Sequence, residues 1–72
     1  MSKRSLTIAG HRTSISLEEP FWQALGEIAA ARRASVAGVV AGIDRSRPAG
    51  TNLSAAIRIY VLESQRRSPK RN

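Results

Sequence analysis

Between Ser5 and Leu17 the chain alternates, with Leu6, Ile8, Ile15 and Leu17 interleaved among Ser5, Thr7, Ser14 and Ser16. A period of two sends apolar groups to one face and hydroxyls to the other, which predicts β-structure buried on one side and solvated on the other. Gly10 interrupts the alternation. It leaves either a long strand bent at a bulge or a loose arm joined to a short strand. The second arrangement is preferred, with a basic arm over residues 1–11 and a strand from Arg12 to Leu17. No strand-like run follows Leu17, so the expected pairing partner is the same strand in another copy.

From Glu18 onward the period changes to that of a helix. Glu18, Glu19 and Pro20 put two carboxylates and a proline in a first turn, where the helix dipole favours the former and the missing N–H of the latter costs nothing. Phe21, Leu25, Ile28 and Ala29 make one apolar stripe flanked by Trp22, with Gln23, Glu27 and Arg33 on the other side. Arg32 and Arg33 suit the C-terminal end, a turn falls near Ala34, and Ser35 is placed to cap a second helix reaching about Arg45.

Val36, Val39, Val40 and Ile43 are the expected buried residues of that second helix. The Gly38–Gly42 spacing predicts close approach of another helix. Arg47 to Gly50 reads as a turn, and Asn52 or Ser54 caps a third helix running to about Arg67. Leu53, Ile57, Tyr60 and Val61 share one of its faces. Ile59 and Leu62 make a second side apolar, which predicts a helix wedged between the first two helices and a partner subunit. The folded domain is thus 12–67, followed by a basic tail over 68–72 that contains Lys70 and Arg71.

A chain of 72 residues buries little surface, and such small domains need a staple. With no cysteine and only His11, one copy assembles neither a disulfide nor a zinc cluster. Oligomerisation remains, and the shared dimer core is expected to contain Ile15, Leu17, Phe21, Leu25, Val39, Ile43, Ile57 and Val61. Twelve Lys and Arg against five Asp and Glu give a net charge of +7, with a sequence pI near 11.6. That balance implies a polyanionic partner. No apolar run approaches the roughly 20 residues of a membrane span. The basic N-terminus lacks the apolar core of a secretion signal, which points to a cytoplasmic, nucleoid-associated protein. No catalytic constellation is visible, since the single His and scattered carboxylates offer no paired nucleophile and base. No metal and no cofactor is expected, and His11 reads as a loop residue.

The strings GHRTSISLEEPFW, EIAAARRAS, GIDRSR and NLSAAIRIYVLE resemble a bacterial subgroup of ribbon-helix-helix-domain proteins that carries an additional C-terminal helix. The resemblance covers Lys3 to Glu63. It implies a mainly α fold with one short N-terminal strand pairing across a homodimer, followed by two to three helices, the helices of both protomers forming the core. It further implies that the antiparallel ribbon enters the major groove of double-stranded DNA. Carried onto this chain, the base-contacting residues are Arg12, Ser14 and Ser16, while Thr13, Ile15 and Leu17 point inward. Ser35 and Val36, at the second helix's N-terminus, meet a phosphate.

Lys3 and Arg4 add phosphate contacts through their charge. Two departures from the family pattern stand out. Thr13 occupies a position that is more often apolar, and NLSAAIRIYVLESQRR itself resembles the second helix of the minimal motif, an alignment that makes Ser35 to Arg45 an insertion. The function implied is sequence-specific DNA binding by a non-enzymatic transcriptional regulator. The alternative is a protein-interaction module, such as the DNA-tethering half of a toxin–antitoxin-like pair. Binding of RNA or an anionic membrane surface through charge alone is disfavoured by the lack of a clustered aromatic platform.

Overall fold

The structure, a computed structural model, describes residues 1–67; the expected basic tail lies outside the described residues. Two strands, β1 (Ser2–Ile8) and β2 (His11–Leu17), form an antiparallel hairpin, followed by helices α1 (Glu19–Ala31), α2 (Val36–Ser46) and α3 (Leu53–Arg67). The architecture is mainly helical, as expected. The arm is not: residues 2–8 form a strand that pairs along its whole length with β2, from Ser2 opposite Leu17 to Ile8 opposite His11. The expectation that β2 finds no partner within its own chain is corrected accordingly.

The reason lies in the turn. Ala9 and Gly10 both have positive φ, 52° and 82°, the backbone of the two-residue loops whose twist matches that of the flanking strands. Gly10 adopts that conformation freely, whereas Ala9 does so at a steric cost. The interruption at Gly10 is therefore a hairpin turn, neither a bulge nor the end of an arm.

Ile8, Ile15 and Leu17 of the hairpin are buried together with Trp22, Leu25 and Ala29 of α1, Val39, Val40 and Ile43 of α2, and Ala56, Ile57 and Val61 of α3. This core closes within one chain. Seven of the eight residues expected in a shared dimer core (Ile15, Leu17, Leu25, Val39, Ile43, Ile57 and Val61) are buried by their own protomer, and Phe21 is half-buried. Trp22 takes the central place expected of Phe21. Its indole N–H donates to the Ser2 carbonyl at 2.9 Å, so the polar edge of the ring is satisfied as the rest is buried.

The helix ends follow their sequence signals. Ser35 Oγ accepts from the Gly38 N–H at 2.9 Å, and Asn52 Oδ1 accepts from the Ala55 N–H at 2.8 Å, so Asn52 rather than Ser54 caps α3. At the end of α1 the Ala34 N–H donates to the Ala29 carbonyl and the Arg33 N–H to the Ala30 carbonyl, with Arg33 at φ 56°. These are the two bonds of a Schellman closure, with arginine where glycine is usual. No second helix approaches Gly38 or Gly42: a Cβ would meet only Ser35 Oγ at 3.2 Å and an Arg45 guanidinium nitrogen at 3.9 Å, respectively. The expected close helix contact at these glycines is absent among the described residues.

Candidate nucleic-acid interface

The hairpin sorts its side chains into two sets. Opposed residues of an antiparallel pair share a face, so Leu6, Ile8, Thr13, Ile15 and Leu17 lie towards the helices while Lys3, Ser5, Thr7, Arg12, Ser14 and Ser16 lie on the other side. Burial agrees with the register. Ile8, Ile15 and Leu17 are buried, whereas Lys3, Ser5, Thr7, Arg12 and Ser14 are exposed and Ser16 is intermediate. The structure thus brings the three expected base-contacting residues together on one solvent face, opposite the core.

That face is twice as wide as the sequence suggested. Lys3 stands across from Ser16, Ser5 across from Ser14 with their hydroxyl oxygens 3.4 Å apart, and Thr7 across from Arg12. Ser5 and Thr7 were missed as surface partners because residues 1–11 were read as an arm. The signal was present in the sequence as the same hydroxyl–apolar alternation on both sides of Gly10.

Lys3 and Arg4, grouped by charge, part company. Lys3 belongs to the polar face, but Arg4 points to the opposite side, with its guanidinium 5.0 Å from the centre of the Trp22 ring and 3.6 Å from a Glu19 carboxylate oxygen. Glu19 also accepts from the Ser2 hydroxyl. Arg4 therefore fastens β1 to the start of α1, with part of its charge already balanced by Glu19.

The base of the hairpin is tied to α3. Arg58 donates through Nε and one terminal nitrogen to the two oxygens of Glu18 at 3.0 and 3.3 Å, and its guanidinium lies 5.8 Å from the Phe21 ring centre. This two-pronged hydrogen bond to Arg58, followed by the backbone hydrogen bond, holds the Glu18 carboxyl below its ordinary value. Ser54 Oγ donates to the Ser16 carbonyl at 3.3 Å. Both acidic residues at the start of α1 thus anchor other elements as well as lying near the helix's positive end.

Ser35 and Val36 start α2, Ser35 exposed and Val36 half-buried. The Ser35 hydroxyl is engaged by its cap, and the first-turn backbone N–H groups ahead of Gly38 have no intrahelical acceptor, which makes that terminus receptive to an anion. On α3, Ile59 and Leu62 are 52% and 56% exposed, the two large apolar side chains beyond Met1 left uncovered among the described residues. They adjoin Phe21 and Ala24 along a groove between α1 and α3. Within the chain α3 is packed on one face only; the expected wedging of its second face is not met by its own protomer.

The profile of the family described as "Ribbon-helix-helix domain" matches residues 1–65, from β1 into the last turns of α3. The chain belongs to that family. No curated protein and no solved structure matches it. The matched span places α3 inside the ribbon-helix-helix domain of this chain. Members of the family are in general DNA-binding transcription regulators or antitoxins, and they typically bind DNA as dimers. Among the described residues no group of three His, Cys, Asp or Glu is placed to hold a metal ion, and no helix is long and apolar enough to cross a membrane.

Proposed function

We propose that this ribbon-helix-helix protein is a sequence-specific regulator that lays the polar face of its β-ribbon in the major groove of double-stranded DNA. The observation that carries this reading is the segregation of the hairpin: Arg12, Ser14 and Ser16 share an outward face free of apolar side chains, directly behind which Ile15 and Leu17 are sealed in the core. A two-stranded ribbon fits the width of the major groove, and its outward side chains then meet base edges. Arg12 is the principal base reader, because a guanidinium donates two parallel bonds to guanine N7 and O6, while the serines bond either kind of partner. Lys3 and the α2 terminus at Ser35 and Val36 contribute phosphate contacts, and the net charge of +7 adds counterion release. Two copies occupy the DNA, in keeping with the family habit, as a homodimer without enzymatic activity.

The exposed Ile59 and Leu62 favour a second reading, in which the chain tethers a protein partner to DNA in the manner of an antitoxin. Both readings share the ribbon. The test is the affinity of Arg12→Ala for a selected duplex and for a scrambled one at a single salt concentration. Arg12→Ala is expected to cost roughly 1 to 3 kcal/mol on the selected duplex and much less on the scrambled one, whereas Ser35→Ala weakens both alike. Equal losses from Arg12→Ala on the two duplexes would make Arg12 a phosphate contact and remove the groove-reading role.

A further inference from the structure

A cleft of about 540 Å³ lies between α2 and α3. That size falls within the roughly 300 to 1,000 Å³ of small-molecule sites. Its floor is apolar, made by the buried Val39 and Ile43 of α2 and Ala56 of α3, with the exposed Ile59 at its edge. Gly38 and Gly42 line it as well, and they explain why it is open. Their spacing predicts close approach of another helix, yet a Cβ added at either position would come within 4 Å of no atom of α3. Glycine inside a helix costs stability relative to alanine, so α2 is thin at this place at some expense to the helix itself.

The charges around the cleft do not cancel. Arg32, Arg45 and Arg47 line it against a single carboxylate, Glu63. Arg47 is neutralised by Asp44 at 2.7 Å and donates to the Thr51 carbonyl, so it braces the turn that follows α2. Arg32 and Arg45 differ from it: among the described residues neither is in an ion pair with a carboxylate. Arg32 reaches from the end of α1 to α3, where it donates to the Tyr60 hydroxyl at 2.7 Å. A neutral partner holds the guanidinium in place and leaves its charge unbalanced. The Tyr60 hydroxyl accepts in that bond and keeps its own proton for donation.

We infer that this cleft is a binding site for a small organic anion, a carboxylate carried on an apolar body about the size of one aromatic ring. The body lies on Val39, Ile43 and Ala56 in the space that Gly38 and Gly42 leave open, and the carboxylate takes Arg32 and the Tyr60 hydroxyl as donors, with Arg45 as a second cation. A bare inorganic anion makes no use of the floor. A neutral molecule of the same shape leaves both guanidiniums without a counter-charge. Glu63, three positions on from Tyr60 and lining the same cleft, repels a second negative charge and so favours a monoanion. None of these residues belongs to the set assigned to DNA, so the inference goes beyond that reading and does not rest on it.

The test is a titration of the full chain, followed by the backbone amide resonances of Gly38 and Gly42. The probes are phenylpropionate, its uncharged counterpart phenylpropanol, and inorganic phosphate. Phenylpropionate is expected to shift both amides saturably, phenylpropanol to bind roughly tenfold more weakly, and phosphate not to saturate. Gly42→Leu fills the cleft and is expected to abolish binding, with circular dichroism to check that the variant is folded. Arg32→Gln/Arg45→Gln changes two exposed side chains and is expected to bring phenylpropionate down to the affinity of phenylpropanol, which itself stays unchanged. Should Gly42→Leu not fold, the arginine pair and the three probes still decide. The absence of a saturable shift, equal affinity of the wild type for the acid and the alcohol, or phosphate binding as tightly as phenylpropionate would overturn the proposal. Full affinity for phenylpropionate in a folded Gly42→Leu or in the arginine variant would overturn it too.

Discussion

Ala9 shows how one residue decides whether the start of the chain is an arm or a strand. The turn needs positive φ at both of its positions, Gly10 supplies one without strain, and Ala9 accepts the other against the contact between its Cβ and the backbone. Asparagine tolerates that conformation far better. Ala9→Asn is therefore expected to stabilise the fold by roughly 0.5 to 1 kcal/mol, read as a higher urea midpoint at unchanged slope. An unchanged or lower midpoint would mean that the turn is not held in this form in solution. The same residue explains why β1 was not legible. Alternation on both sides of Gly10 was visible, but Ala-Gly lacks the Asn-Gly or Asp-Gly signature by which two-residue hairpins announce themselves. Trp22 was misplaced for a different reason. Periodicity ranks Phe21 and Trp22 almost equally, and what decides between them is a partner for the indole N–H, the Ser2 carbonyl, which exists only once β1 is folded over α1.

Among the elements, the helices were the readable part of the fold. Ser35 and Asn52 cap where their chemistry says they should, and the buried stripes Val39, Val40, Ile43 and Ile57, Val61 follow from spacing alone. How the elements are joined was not readable. Glu18 and Arg58 stand 40 positions apart, and nothing in local periodicity connects the first turn of α1 to the middle of α3. Their fork joins the base of the ribbon to the helix behind it, and it gives the fold a measurable pH dependence. Because Arg58 lowers the Glu18 carboxyl in the folded state, the pair stabilises the protein fully above the ordinary carboxylate value of 4.5 and loses its contribution as pH falls through the lower, folded value. Glu18→Gln is expected to lower the urea midpoint at neutral pH and to converge with the wild type in acid. The difference should be small and should shrink with salt, since the pair is solvent-accessible. A difference that persists below the titration range would assign the effect to something other than this ion pair.

For the whole molecule, a single chain closes a core from all five elements and, among the described residues, leaves exposed a polar, cationic ribbon face and the apolar strip of Ile59 and Leu62 on α3. The expectation that the strand pairs with another copy rested on its having no partner in its own chain, and β1 removes that premise. What remains of the case for assembly is the α3 strip and the family habit, while the case for DNA rests on the ribbon and on the charge. Whether the ribbon face reads duplex sequence is measured by selection of bound molecules from a random duplex pool with the full chain. Convergence on one short duplex motif is expected, bound in preference to scrambled duplex at moderate salt and to either of its separated strands. A pool that fails to converge, or single strands that compete as well as the duplex, would contradict it and reduce the chain to a basic protein that follows charge alone.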